Sequence, residues 1–462
     1  MRSVAMSRDD LSFWVATEDV QPCPPLQRDL RCDIAVVGGG FAGLSAAYHL
    51  RRARPDLDIV LLESARVGSG ASGRNTGMLG PRVGGTIVDL CRRYGDSEAQ
   101  RLYDVSLRAV EHVKALITTE GIVCALEHTP QLKAAVTRGH AVALQAEART
   151  LERLGFAAPW YDASDIARIS PVRYQAGLGY PQSALLNPVL LCRELKRVLL
   201  ASGVHVYEQT PVRGIAPGRP VTIRVDHGTV TASHVVLATN AYTPHVGFLH
   251  GQVIPIQTHV IQTEPLNGAQ LARLNWPGRN PIFEAGHIFN YFRLTPDDRI
   301  LFGGGRPLYR AVSGNSSAGA IDVADPRVWK AQAAVFVKRF PALDDVAVSR
   351  RWSGSLAMTL DHLPIVGELT GAPNVFFAGG WNGHGVAMAT ASGAIIADLV
   401  LGRRSTRANL PWVRGSARKI PGDPLRAIGL SAYLTGLEAL DRLDIARERL
   451  RLHFVAPKEV TT

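Results

Sequence analysis

The sequence predicts an α/β fold: a parallel-sheet domain assembled from separate stretches of chain, interrupted by an α+β, mixed-sheet insertion. Three observations predict it. Residues 34–37 (IAVV) form a short β-branched run, and Gly38, Gly40 and Gly43 follow it as G-x-G-x-x-G. A second apolar run, 58–62, ends in Glu63, twenty positions after Gly43. Further strand-like stretches at 204–242 and 374–378 are separated from these by two long blocks of different pattern.

A short apolar run without polar interruption reads as a buried parallel strand. In a Rossmann-like unit the first glycine permits a tight turn. The second lets a pyrophosphate approach the backbone, and the third lets the helix pack on the strand. Ala42, Ala46 and Ala47 keep that helix slim. Its first N–H groups and its dipole favour a phosphate. Glu63 is placed to accept from both ribose hydroxyls of an adenosine. NAD and FAD fit these residues equally.

The next segment, 67–79 (VGSGASGRNTGML), lets backbone donors approach a ligand closely. Here the chain resembles the FAD-dependent amino-acid and amine oxidoreductase family. That family includes D-amino-acid oxidase, glycine oxidase, sarcosine oxidase and γ-glutamylputrescine oxidase. GASGRN-GM most resembles the γ-glutamylputrescine oxidase branch. The likeness recurs at VLATNAYTP, YFRLTPDDRILFGGG, RWSGSLAMTLDHLPIVG and VFFAGGWNGHGVAMATASG, and runs from Phe13 to about Gly402. It implies a glutathione-reductase-type FAD fold and the following cofactor contacts. Gly38, Gly40, Phe41, Ala42, Gly43, Glu63 and Ser64 face the adenosine and pyrophosphate. Ala71, Ser72, Arg74, Asn75, Gly77 and Met78 lead to the flavin, and Val212, Ala238 and Thr239 flank the nucleotide. Gly380, Trp381, Asn382, Gly383, His384, Gly385 and Val386 open a helix at the flavin's N1 edge. Relatives that bind flavin covalently use a cysteine in the C-terminal half or a histidine after the first glycine block. Residues 353–359 hold no cysteine, and Arg74 and Asn75 stand after the glycines, so the expected FAD is non-covalent.

The expected FAD-binding domain comprises 31–85, 181–248 and 351–410. The expected substrate domain comprises 86–180, read as helices, and 249–350, read as strands with a hairpin at 289–305. A helical tail follows, 411–462. FGGGRP leads into no helix, so there is no second dinucleotide fingerprint. A pyridine-nucleotide-linked flavin reductase normally carries two, so the substrate is expected to reduce the flavin directly.

Composition narrows the rest. The chain has 462 residues and a net charge of +11. Its arginines are scattered, without a basic block interleaved with aromatics, which argues against nucleic-acid binding. The five cysteines have neither metal nor disulfide spacing, and no metal site is expected. No apolar run reaches spanning length and the first ten residues are no signal peptide, so the expectation is cytoplasmic. In the tail, Leu430, Leu434, Leu437 and Leu440 recur at helical spacing, and Arg447, Glu448, Arg449 and Arg451 crowd its end. A membrane-surface or quinone-pool anchor is one reading. Acidic residues interrupt the basic face, which favours a helix docked on the protein's own body.

The leading function is oxidation of the C–N bond of an amine or amino acid. Hydride passes to flavin N5, and the imine then hydrolyses. In the hairpin, Phe289, Tyr291 and Arg293 share one strand face. Arg293 and Tyr291 are carboxylate-binding candidates there, against a reading as a salt bridge and a packing tyrosine. Arg306 and Arg74 are the alternative clamps. Trp352 is a wall or core candidate, and His384 a catalytic or structural one. Sarcosine-oxidase relatives place a lysine over the flavin to help oxygen react. No lysine lies between Lys196 and Lys330, and His259 is the candidate substitute. The acceptor is therefore dioxygen or a quinone or carrier protein. The alternatives are a 2-hydroxy-acid or alcohol dehydrogenase and a flavoprotein electron carrier.

Overall fold

The structure is a computed structural model that describes residues 12–16, 21–309 and 326–455, with side chains of the last helix described to Glu448. Two sheets organise it. In the first, Leu30–Val37 lies centrally, with Ile59–Leu62 and Gly228–Leu237 parallel on either side. His205–Tyr207 extends one edge; Val375–Gly379 and Ile365–Glu368 extend the other. Strands buried on both faces need continuous apolar side chains, and Ile34, Val36, Ile59, Leu61 and Val236 are at most 2% exposed. The helix Phe41–Ala53 covers one face, beside the helix Gly385–Val400. Ser45 and Gly393 touch, and a Cβ on Gly393 would meet Ser45 backbone at 2.4 Å, so small residues set this helix spacing.

The second sheet is mixed. Its order runs Leu308–Tyr309, Ile254–Thr263, Ile300–Gly304, Asn290–Leu294, Ile282–Ala285, Gln131–Ala135, Ala176–Tyr180, Trp160–Asp162. Val348–Met358 pairs antiparallel along Ile254–Thr263. Strand alternation divides its faces. Phe292, Phe302, Ile261 and Leu132 pack with Phe336 of the helix Pro326–Arg339 and with Phe340 just past its end. Tyr291, Arg293, Val260, Trp352, Lys133 and Tyr180 face the first sheet's side and form a roof over it.

Three expectations need correction. The block 86–180 is not all helical: it holds the helices Ile87–Tyr94, Asp96–Thr119 and Arg138–Arg153, but also the strands Gln131–Ala135 and Ala176–Tyr180. QLKAA and AGLGY lack β-branched residues, and pairing partners far along the chain make them strands. A boundary at 351 would cut Val348–Met358, which lies wholly in the second sheet. The tail helix Leu425–Val455 docks on the body as expected, but through acids as well as leucines. Asp441 accepts from His287 N–H, His287 Nδ1 and Ile288 N–H at 2.7–3.1 Å, and Glu438 pairs with Arg306 at 2.9 Å. Leu430, Leu434 and Leu437 are half-buried; Leu440 is exposed, with Leu425, Ile428, Tyr433 and Leu443. Arg449 and Arg451 lie outside the described side chains.

Candidate active site

The glycine turn is built as its spacing requires. Gly38 has φ +108°, and a Cβ there would lie 2.8 Å from Ala238 O. A Cβ on Gly43 would lie 1.9 Å from Gly38 O, so only glycine lets the helix close on the strand. Gly40 begins the helix Phe41–Ala53 without a side-chain cap, and Phe41 N–H donates to Ser72 Oγ at 2.9 Å. Ala42 and Gly43 are buried behind it. Glu63 Oε2 accepts from Gly39 N–H at 2.7 Å; its Oε1 accepts from Ala65 N–H at 2.9 Å and from Ser64 Oγ at 3.1 Å. Burial raises the Glu63 pKa against these bonds, which lower it. Thr210 N–H donates to Glu63 O, which sets Val212 two residues further along the same edge. Ala238 N–H joins Val37 O at 2.8 Å, and Thr239 Oγ1 meets Thr243 Oγ1 at 2.8 Å.

The segment after Ala71 is held by its carbonyls. Gly73 O accepts from Ser12 Oγ at 2.5 Å and Arg74 O from Trp352 Nε1 at 2.9 Å. Asn75 O accepts from Trp14 Nε1 at 2.9 Å and Thr76 O from Arg293 Nη1 at 3.2 Å. Gly77 O accepts from Leu186 N–H at 3.0 Å. Five consecutive carbonyls are thus held from the roof, the segment 12–14 and the chain at 186. Asn75 folds back on the segment, donating to Ala71 O and Ser72 O and accepting from Gly77 N–H. Met78 begins the short strand Met78–Leu79 beyond it. A phosphate-seeking helix end, a half-buried carboxylate beside it and a fixed small-residue segment suit the adenosine, pyrophosphate and flavin approach of FAD.

The same bonds change the reading of several candidates. Arg293 is 1% exposed, with Nε on Leu294 O and Nη1 on Thr76 O and Leu186 O, so it staples rather than clamps. Trp352 is 0% exposed among Trp14, Val189, Val260 and Leu301, so it is a core staple and no wall. Arg74 is buried on Ser69 O and Ser353 O. Arg306 is held by Glu438 and Thr435 of the tail helix. His259 neighbours Val260 in its strand and faces the other way, toward the helix that carries Gln332, so it is not over the flavin approach. Tyr291 packs its ring against Gly303, next to Phe289, and burial pushes its hydroxyl up to about 12.

The last glycine block is tied to the roof's end. Asn382 Oδ1 accepts from Thr359 N–H at 2.9 Å, its Nδ2 donates to Gly380 O at 2.6 Å, and its N–H donates to Ala357 O. Gly380 N–H donates to Asn240 Oδ1, next to Thr239. Gly383 has φ +86° and nothing near it, leaving an open step before the helix. Trp381 is buried against Gly385, and Val386 is buried in the first turn. His384 occupies the N-cap position of Gly385–Val400. Burial first, then the Arg82 charge, hold its imidazole well below the ordinary histidine pKa.

Residues 33–399 match the family described as FAD dependent oxidoreductase. The chain is 31% identical over 440 residues to gamma-glutamylputrescine oxidoreductase of Escherichia coli (strain K12), across 93% of this chain and 98% of that one. The chain belongs to the FAD dependent oxidoreductase family. This oxidoreductase is also 24% identical over 397 residues to sarcosine oxidase subunit beta of Arthrobacter sp, across 82% of this chain and 89% of the other. Glycine oxidase from Geobacillus kaustophilus shares its fold, with a TM-score of 0.68 at 20% identity over 85% of this chain and 100% of that one. No described helix is long and apolar enough to cross a membrane.

One group in this oxidoreductase escaped the sequence reading. Gln131 and Lys133 project from the roof strand Gln131–Ala135, with Tyr180 and Phe283 beside them, their rings 5.8 Å apart. Lys133 Nζ meets Glu147 Oε2 at 2.6 Å, and Tyr180 OH donates to Glu147 Oε1 at 2.9 Å. Gln131 Oε1 would lie 2.5 Å from a Cβ on Gly80, just past the flavin-approach strand. Read as strand alternation, Q-x-K would have placed both on one face; the helical reading of the block hid it.

Proposed function

We propose that this protein oxidises the C–N bond of a primary or secondary amine or amino acid, the imine product adding water to give a carbonyl compound and the released amine or ammonia. One observation carries the reading: the roof sheet is stapled onto the same 73–77 segment that leads away from the nucleotide turn. Substrate cleft and cofactor site therefore share one wall, as direct reduction by a small substrate needs. Bound FAD supplies the two-electron acceptor. Its proposed holders are the residues of the glycine turn, Glu63, the 71–78 segment and the 380–386 block, and its attachment is non-covalent.

The protein's own share is binding and proton placement. A neutral His384 can accept a hydrogen bond from the substrate amine, which must itself be neutral to be oxidised. The uncapped N-terminus of Gly385–Val400 favours negative charge beside it. Trp381 and Phe283 offer apolar surface that limits water. The discontinuous FAD-binding domain is proposed as 31–85, 181–248 and 359–410, with the roof strand reassigned, and a cytoplasmic location completes the reading. The acceptor is dioxygen or a quinone, and reoxidation of photoreduced flavin by each distinguishes them.

The decisive test is anaerobic bleaching of the flavin by a panel of amines, amino acids and hydroxy acids. Bleaching by amines or amino acids is expected. Bleaching by hydroxy acids alone would replace the reading with 2-hydroxy-acid oxidation. Acid precipitation should leave yellow cofactor in the supernatant; colour in the pellet would mean a covalent bond.

A further inference from the structure

The three arginines expected to meet a substrate carboxylate are all engaged by the protein itself. A different set of donors stands on and beside the roof strand Gln131–Ala135. Gln131 is 6% exposed, and its Nε2 has no hydrogen-bond partner. Orphaned amide donors at that depth are uncommon and call for a partner. Lys133 lies two residues on, on the same strand face. Glu147 takes one of its three protons, and Tyr180 holds the second oxygen of that carboxylate, so the ion pair is fixed in position. Arg82 follows Gly80, the residue against which Gln131 rests. It is half-buried and has no ion-pair or hydrogen-bond partner among the described residues.

The balance of charge is one-sided. Glu147 neutralises Lys133, and no acid pairs with Arg82 among the described residues. The Arg82 charge acts to lower the pKa of Lys133, Tyr180 and His384, and its backbone lies two residues from the Gly80 contact of Gln131. An orphan amide N–H, two remaining ammonium N–H groups and a guanidinium are all donors. The ligand that satisfies donors alone is an oxyanion, and a planar guanidinium suits a carboxylate. The stacked rings of Tyr180 and Phe283 lie beside these donors, which suits a short aliphatic chain between that carboxylate and the reacting amine.

We propose that Gln131, Lys133 and Arg82 form a subsite for a carboxylate carried by the amine substrate away from its reacting nitrogen, with Glu147 and Tyr180 as positioning residues for Lys133. This rests on the amine-oxidising reading and names its substrate class: amino-carboxylates with the two groups separated by a chain. It assigns specificity to the roof strand Gln131–Ala135 rather than to the hairpin of Arg293.

The test uses the FAD-loaded protein and two probe pairs. Glutarate and neutral glutaramide are titrated by flavin difference spectrum and by thermal shift. The pair 5-aminopentanoate and pentylamine is compared by anaerobic flavin reduction. Glutarate is expected to bind and glutaramide not to. Arg82→Gln should weaken glutarate at least about tenfold, the scale of one charge-assisted contact. Lys133→Met alone strands Glu147, so Lys133→Met/Glu147→Gln is the second variant, expected to weaken glutarate similarly while the ligand-free flavin spectrum stays unchanged. Equal binding of glutarate and glutaramide overturns the subsite. So does an equal loss for 5-aminopentanoate and pentylamine in both variants. If glutarate binds as expected but neither amine reduces the flavin, the amine-oxidation reading fails and the anion subsite stands.

Discussion

Arg293 shows how a charged side chain can act without touching a ligand. Its guanidinium satisfies Thr76 O, Leu186 O and Leu294 O, and its cation lies 5.8 Å from the Trp14 ring. Arg293→Ala leaves those carbonyls unmet in a buried cavity, at a cost of about 2–4 kcal/mol. FAD retention should fall, and kcat/KM for 5-aminopentanoate and pentylamine should fall by the same factor. A loss confined to the carboxylate-bearing amine would return Arg293 to the role of clamp. His49 and His112 make a second residue-scale case, with their Nε2 atoms 3.1 Å apart between two helices. Burial first, then His112 and Arg407, pull His49 down to about 3; burial, then Arg407, lowers His112. Both folded values lie below the unfolded one. The unfolded chain therefore takes up protons first as pH falls, and stability present above about pH 6.5 is lost below it. The slope from His49 alone is on the order of 1.4 kcal/mol per pH unit. Denaturant melts from pH 7.5 to 5 should show it, and His49→Gln/His112→Gln should flatten it; parallel slopes would discount the pair.

At the scale of elements, the tail helix Leu425–Val455 is held by a polar seam. Asp441 is 7% exposed and receives three donors from the turn at 287–288. Asp441→Ala removes that acceptor, which should weaken docking by about 2–4 kcal/mol. Limited proteolysis in the connecting stretch 411–424 should then quicken while FAD content is unchanged. Unchanged cleavage would show that the Arg306–Glu438 and Arg138–Glu448 pairs suffice. The roof strands carry a related lesson. Gln131–Ala135 is flanked by a parallel and an antiparallel neighbour, Ile282–Ala285 and Ala176–Tyr180, and both come from distant sequence. Its propensity is weak, so its neighbours make it a strand.

Across the whole molecule, the two sheets meet at a segment of five residues. Residues 73–77 are fixed by donors from the roof, from residues 12–14 and from Leu186 N–H, while Ser72 reaches the glycine-turn helix. A cofactor bound there would contact both halves. FAD at a hundred times its Kd should add about 2.7 kcal/mol to stability. Calorimetry should show a single transition that moves upward as a unit. Two transitions, with only one responding, would mean that the roof melts independently.

The sequence alone determined the geometry of the glycine turn. Gly38, Gly43 and Glu63 answer to local demands: a positive φ, a helix start with no room for a Cβ against the turn, and an acid at the end of the next strand. Such demands act within one strand–helix–strand unit, so spacing reveals them. The small-residue helix Gly385–Val400 was legible for the same reason. The fate of each arginine was not. Arg74, Arg293 and Arg306 look alike on paper, yet each is engaged by oxygens far along the chain: Ser353 O, Thr76 O and the tail's Glu438. Arg82 meets no such oxygen among the described residues and stays available. Whether a charge is left for a substrate depends on which distant carbonyls and carboxylates reach it first, and only the packing of the two sheets decides that.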